Sequence, residues 1–261
     1  TIRGKTFYGF ESIFKILDQM LSLNLTPWLE IGNKPAKASY TVLEEYILSP
    51  FEECSSYYDK LFLILPEFLK ACCNRYGKSQ VSNWVFEVYY NFISNTNRQS
   101  LWQYLNSYRH LESMIHSILP RCSVGGPGLN TFISYEQAQK FLSEAKEHQM
   151  QMDFVSSYVY GTTEVYPENH LSMDKNHMTV KTHRFTQLIH DFYPKHPVYV
   201  TEFNFCHTSR NFLNDSVFQT SFIIRYLCDN LDTVKGFGYF LLSDISVDYT
   251  DHNAMFFGGN G

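Results

Sequence analysis

"PVYVTEFNF", Pro197 to Phe205, is the stretch on which the fold turns. β-Branched and aromatic residues fill it almost to its end, where Glu202 and Asn204 arrive. That is the build of a strand buried on both faces, carrying polar groups at its C-terminal end. "WVFEVYYNFIS", Trp84 to Ser94, repeats the pattern, with Glu87 inside it and an amide, Asn91, at its polar end.

Working outward, four more runs read as strands: "TPWLEIG" (Thr26–Gly32), "RCSVGGPG" (Arg121–Gly128, with a Gly/Pro-rich end), "MDFVSSYVYG" (Met152–Gly161) and "GFGYFLLSD" (Gly236–Asp244). "VSNWVFEVYY" extends the strand around Glu87 back to Val81. Helical patterns separate them. Phe10–Asn24 carries apolar residues at Ile13, Phe14, Ile16, Leu17, Met20 and Leu21. Further helices are predicted over Tyr57–Tyr76, Ser100–Leu119, Ser134–Gln149, His183–Tyr193 and Ser216–Leu231. The fourth of these six opens with Ser134 and Gln137 spaced as a capping box.

Strands alternating with helices predict βαβ units and a parallel sheet, and apolar character on both faces predicts a barrel. A closed barrel has eight strands, and "TIRGKTFYGF" reads as a loop entering a helix. The expectation is therefore an α/β fold of (β/α)8 TIM-barrel type lacking its first two strands. It forms one domain over residues 1–261, incomplete at the N-terminal side.

A chain of 261 residues can bury a substantial core. The net charge of −5 argues against nucleic-acid contact by this segment. Six cysteines form no CxxC pair or regular framework, and Cys72 and Cys73 are adjacent, which predicts thiols in a reducing, cytoplasmic setting. "LFLILPEFL" is interrupted by Pro66 and Glu67, and no apolar run reaches membrane-spanning length. The 19 Tyr and 22 Phe mostly fill core, with some available to stack on sugar rings. "VGGPG" lacks a phosphate-loop Lys, and the histidines form no HExxH or Cys/His cluster, so no cofactor and no metal are expected.

A barrel presents its functional groups at the C-terminal ends of its strands. Those ends hold Glu30 and Asn33; Glu87, Tyr90 and Asn91; Gly125, Gly126 and Pro127; Tyr158 and Tyr160; Glu202 and Asn204; and Ser243 and Asp244. Glu30 and Glu87 read equally well as members of a polar network inside the barrel. Asp244 fits a helix cap as well as a substrate contact. His207 is a further loop candidate.

At these ends the sequence resembles glycoside hydrolase family 39, the β-xylosidases and α-L-iduronidases. "WVFEVYYNF" follows the family's W-x-F-E-V-W-N-E-P through Val88, and "VYVTEFN" nearly reproduces its nucleophile strand. "SVGGPG", "PWLEIGNKP" and "MDFVSSYVYG" are similar to its V-G-G-P, P-x-x-E-I-G-x-x-P and D-F-x-S-x-H-x-Y strands, and "NDSVFQTSF" and "FFGGNG" also match landmarks. The resemblance runs in order from about Phe10 to Gly261.

It implies a retaining mechanism with two carboxyl groups. The nucleophile falls on Glu202, and the acid/base position falls on Asn91. The family's preceding Asn falls on Tyr90, its following Pro on Phe92, and its sixth-strand His on Tyr158. Glu30, Tyr158, Tyr160, Asn204 and Asp244 complete the implied sugar site with Tyr90. An amide does not cycle a proton, so loss of general acid–base catalysis of roughly 10²–10⁴-fold is expected. Glu87 lies on the same side of its strand as Asn91, but about 13 Å deeper. Glu53, Glu164 and Glu168 fall in predicted loops.

Three functions follow. The first is a family-39-like domain that binds a mono- or oligosaccharide, of xylose type, with impaired hydrolysis. Such a domain is similar to the sugar-recognition part of some bacterial helix-turn-helix transcription regulators. The second is an active retaining β-xylosidase-like enzyme, and the third a scaffold for protein association.

Overall fold

A computed structural model describes residues 8–32, 52–90, 98–130, 134–161, 174–205 and 216–240. Strands and helices alternate along it: α1 (Glu11–Ser22), β1 (Trp28–Ile31), α2 (Glu52–Tyr76), α3 (Lys78–Val81), β2 (Val85–Val88), α4 (Arg98–Ile118), β3 (Ser123–Asn130), α5 (Tyr135–Glu147), β4 (Val155–Tyr160), α6 (His177–Phe192), β5 (Val198–Asn204), α7 (Val217–Asn230) and β6 (Gly236–Tyr239). All six strands expected from the sequence form. They build one sheet in the order β1-β2-β3-β4-β5-β6, and every neighbouring pair is parallel. Sequential order with helical crossovers is the architecture of a partial (β/α)8 barrel.

The sheet is curled, and contacts across its concave face measure the curl. Trp28 of β1 packs its ring on Tyr199 of β5 at 5.0 Å, although three strands lie between them in the sheet. The convex face carries the helices. Val88, Val124, Val155, Val198 and Val200 are buried there with Leu105, Leu111, Phe141, Phe185 and Leu188 from the helix faces. Tyr104 and Tyr108 on α4 donate their hydroxyls to the carbonyls of Val88 and Val124, which ties this helix to the ends of β2 and β3.

Local signals explain most boundaries. Ser134 accepts from the Gln137 amide and the Gln137 side chain accepts from Ser134 N–H, completing the capping box that opens α5. Gly77, at φ 83°, ends α2 and leads into the single turn of α3, so β2 begins at Val85 rather than at Val81. α6 starts at His177, nearly two turns before the predicted His183. β3 does not stop at its glycines. It continues through Gly125, Gly126 and Pro127 to Asn130, with a register shift between Gly126 and Leu129. Arg75 binds both carboxylate oxygens of Asp18 at 3.0 and 2.6 Å and joins α2 to α1 at the surface. No described helix is long and apolar enough to cross a membrane. Cys72, Cys73, Cys122 and Cys228 are free thiols.

Candidate active site

The concave face is built in layers. Its floor is a trio of rings: Trp28 meets Phe154 at 4.9 Å and Tyr199 at 5.0 Å, and Phe154 meets Tyr199 at 5.5 Å. On this floor lies Glu87, only 1% exposed. One of its oxygens accepts from Trp28 Nε1 and the other from Thr201 Oγ1, each at 2.9 Å. Burial pushes the Glu87 carboxyl up to about 7, and the charge of Glu30 adds to the rise. The Ser156, Trp28 and Thr201 donors oppose it. Of the two readings of Glu87, the buried polar network is the one realised.

Glu202 owes its position to an irregularity in β5. Against β4, Ser157 pairs with Val200 and Tyr158 with Glu202, so Thr201 is the extra residue. Against β6, Val200 pairs with Phe237 and Phe203 with Tyr239, again one residue more on β5. This is a β-bulge. Before it, Tyr199 and Thr201 face the concave side, where they meet Trp28 and Glu87. After it, Phe203 faces the helices and packs on Tyr226 of α7 at 5.0 Å. Glu202 stands between, 3% exposed, and its charge is felt by the phenols of Tyr89 and Tyr158.

Those two phenols form an aromatic wall. Tyr89 and Tyr158 stack at 5.6 Å with 12° between their planes, and Tyr160 is buried with them. Tyr158 donates its hydroxyl to Glu30 Oε2 at 2.7 Å, crossing from β4 to β1. Glu30 is exposed and stands in register with Glu87. Burial raises both phenols above the ordinary tyrosine range, and the surrounding carboxylates Glu30, Glu87 and Glu202 raise them further. Tyr158 therefore acts as a donor at any ordinary pH. Room for its ring comes from Gly128, whose φ is +71° and where a Cβ would lie 2.6 Å from Tyr158 Cζ.

Of the residues expected at the site, Glu30, Tyr158, Tyr160 and Glu202 come together. Two others are placed differently. Tyr90 turns its ring into the helix layer, 4.5 Å from Tyr104 and 5.9 Å from Phe141, because the period of a strand sends it opposite to Glu87. Asn204 is buried and bonded within the protein: its amide donates to the Phe240 carbonyl at 2.5 Å, and its oxygen accepts from Phe205 N–H and from Gln219 of α7. Asn33, Asn91, Ser243, Asp244, His207, Glu164, Glu168 and the side chain of Glu53 lie outside the described residues. Tyr89, missed from the sequence, takes the concave position two residues beyond Glu87. Among the described residues, no group of three or more His, Cys, Asp or Glu is arranged to hold a metal ion.

The concave face thus brings a carboxylate, Glu202, to a barrel strand's C-terminal end beside three tyrosines. The family model of the glycosyl hydrolases family 39 matches residues 1–261. The chain belongs to glycosyl hydrolase family 39. It is 28% identical over 274 residues to a beta-xylosidase of Geobacillus stearothermophilus, covering 98% of this chain and 53% of that protein. A beta-xylosidase of Caldicellulosiruptor saccharolyticus is 24% identical, with 99% and 53% covered. The chain thus spans about half the length of the curated relatives it matches. Among solved structures, a monomeric beta-xylosidase from Caulobacter crescentus CB15 superposes with a TM-score of 0.70 at 21% identity, over 91% of this chain and 49% of that one. That likeness establishes the family-39 fold.

Proposed function

We propose that this family-39 chain forms a retaining β-glycosidase site for xylose-type pyranosides, with Glu202 as its nucleophile. The observation that carries the reading is the bulge at Thr201, beyond which Glu202 shares one concave site with Tyr158, Tyr89 and Glu30. The beta-xylosidase relatives supply the substrate class. In the first step a Glu202 oxygen attacks the anomeric carbon, the bond to the leaving oxygen breaks, and an ester joins sugar to enzyme. In the second, water attacks the same carbon and Glu202 is released. Burial of Glu202 favours the first step, because a desolvated carboxylate has lost the water that would blunt its attack. Glu30, exposed beside the Tyr158 hydroxyl that binds it, offers a polar edge for sugar hydroxyls, and the stacked rings of Tyr89 and Tyr158 support it from behind.

Each step also needs a proton moved at the leaving or attacking oxygen. Asn91, at the family's acid/base position, does not supply it. This favours a second reading, in which sugar is bound and slowly turned over, as in a sugar-sensing domain.

The test is intact-protein mass after incubation with a 2,4-dinitrophenyl xyloside, beside a Glu202→Gln control. That leaving group departs without acid help. A gain of one sugar, absent in the control, is the expected result. No gain with any glycoside in a panel would remove Glu202 as nucleophile. Turnover of an alkyl xyloside alongside separates a working enzyme from a binding domain.

A further inference from the structure

We infer that Glu87 is a positioning residue, which fixes the β5 bulge through the Thr201 hydroxyl and so aims Glu202 into the site. The inference rests on the assignment of Glu202 above and gives its aim a physical cause.

In a regular strand, Glu202 would follow the period of its neighbours. Tyr199 and Thr201 face the concave side, so an even alternation would turn Glu202 toward the helices, where Phe203 now packs. The bulge breaks that alternation at Thr201, the residue left without a partner in β4. A bulge removes ladder hydrogen bonds, so something else must hold it in one place. Two contacts do so here. On the β6 side, Gly238 lets the backbone close in: a Cβ there would lie 2.4 Å from the Thr201 carbonyl. On the concave side, Thr201 Oγ1 donates to Glu87 at 2.9 Å.

Glu87 is itself immobile. Its second oxygen takes Trp28 Nε1 at 2.9 Å, Ser156 adds a further hydrogen bond, and the carboxyl is 1% exposed. A buried carboxylate at the base of a site is costly to desolvate and gives no contact to substrate. Here it links β1, β4 and β5 to β2 at the height of the bulge. The linkage leaves Glu87 one residue removed from the nucleophile.

The test uses the full chain and four variants. Thr201→Val keeps the β-branched shape and removes only the hydroxyl. Glu87→Leu removes the acceptor. Glu87→Gln preserves both links, since its oxygen can accept from Trp28 while its amide donates to Thr201 Oγ1. Trp28→Phe loosens Glu87 on the side away from Thr201. Trapping of 2,4-dinitrophenyl xyloside is followed by mass over a range of concentrations, separating the maximal rate from the half-saturating concentration.

The expected result is a fall of about 10²-fold in the maximal rate for Thr201→Val and Glu87→Leu, the effect of misplacing a reacting group by an ångström. Half-saturation stays unchanged, Glu87→Gln traps at close to the wild-type rate, and Trp28→Phe, which leaves the Thr201 bond but frees the other oxygen of Glu87, falls by less than Thr201→Val. Wild-type trapping by Thr201→Val overturns the inference, and so does a rise in the half-saturating concentration with the maximal rate unchanged. If the wild type traps no glycoside, the nucleophile assignment fails on its own. Crystal structures of wild type and Thr201→Val then decide: a moved bulge with Glu202 turned from the concave face upholds the positioning role, and an unmoved Glu202 overturns it.

Discussion

Tyr158 Oη donates to Glu30 Oε2 at 2.7 Å, so the wall of the site on β4 is tied across the concave face to a carboxylate on β1, with two strands lying between them in the sheet. The same ring stacks on Tyr89 and stands in register with Glu202. Tyr158 therefore joins three walls of one site, and its ring and its hydroxyl have separable duties. The ring supplies packing; the hydroxyl supplies orientation. Tyr158→Phe is expected to lose about 1 kcal/mol of stability, the worth of one hydrogen bond to an acceptor that water also reaches. Tyr158→Ala is expected to lose about 3 kcal/mol or more, because it leaves a cavity. Urea denaturation midpoints check both, and equal losses would mean that the hydroxyl carries the energy.

Glycine at position 128 is required by two independent facts. Its φ of +71° is costly for any side chain, and a Cβ would strike Tyr158 Cζ at 2.6 Å. Gly128→Ala is expected to destabilise by about 2–4 kcal/mol, combining left-handed backbone strain with overpacking. It should also push Tyr158 away from Glu30 and weaken sugar binding. Xylose titration by calorimetry reads the second effect separately from the first.

How much of this was legible depends on what kind of signal fixes each part. All six strands and the longer helices that separate them could be read from apolar runs, while the single turn of α3 was read as the start of β2. Tyr89 was missed although the signal for it was present: Glu87 faces inward, and a period of two sends Tyr89 the same way and Tyr90 to Tyr104. The bulge at Thr201 was not legible. It breaks the very period that sequence reading relies on, and what stabilises it, Glu87, lies over a hundred residues earlier. Asn204 misled for a related reason. Its bonding to Gln219 depends on how α7 docks, which no local pattern records.

Glu87 gives the protein a pH-dependent stability of opposite sign to that of a salt-bridged carboxylate. Its folded value is about 7 against an ordinary 4.5. Below about 4.5 both folded and unfolded chains hold the proton, and the stabilisation of the neutral form is fully present. Between 4.5 and 7 the unfolded chain has released a proton that the folded chain retains, so stability falls as pH rises. Above about 7 the loss is complete, on the order of 3 kcal/mol at 1.36 kcal/mol per pH unit. Glu87→Gln is expected to abolish this slope, matching or trailing the wild type at pH 5 and gaining on it by pH 8. Urea denaturation of both proteins at several pH values tests the sign; a constant difference between them would exclude Glu87 as the source.

Restoring a carboxylate at position 91 tests the chemistry assigned to the site. On the assignment proposed above, Asn91 leaves the departure of a poor leaving group without a proton, while departure of dinitrophenolate needs none. Asn91→Glu is therefore expected to accelerate turnover of an alkyl xyloside by roughly 10²–10⁴-fold, the contribution of a positioned general acid–base. The trapping step with the dinitrophenyl xyloside should change little. Release of the trapped sugar should speed up, because the new carboxylate takes a proton from the attacking water. In the wild type, azide should perform part of that duty, since it attacks the glycosyl-enzyme without needing a base and gives a glycosyl azide. Steady-state rates with the two leaving groups, and product analysis with azide, measure each arm. Equal acceleration of both substrates would mean that the substitution acts on binding rather than on proton transfer. No acceleration, with trapping intact, would assign the missing proton to another group and move the acid/base role away from position 91.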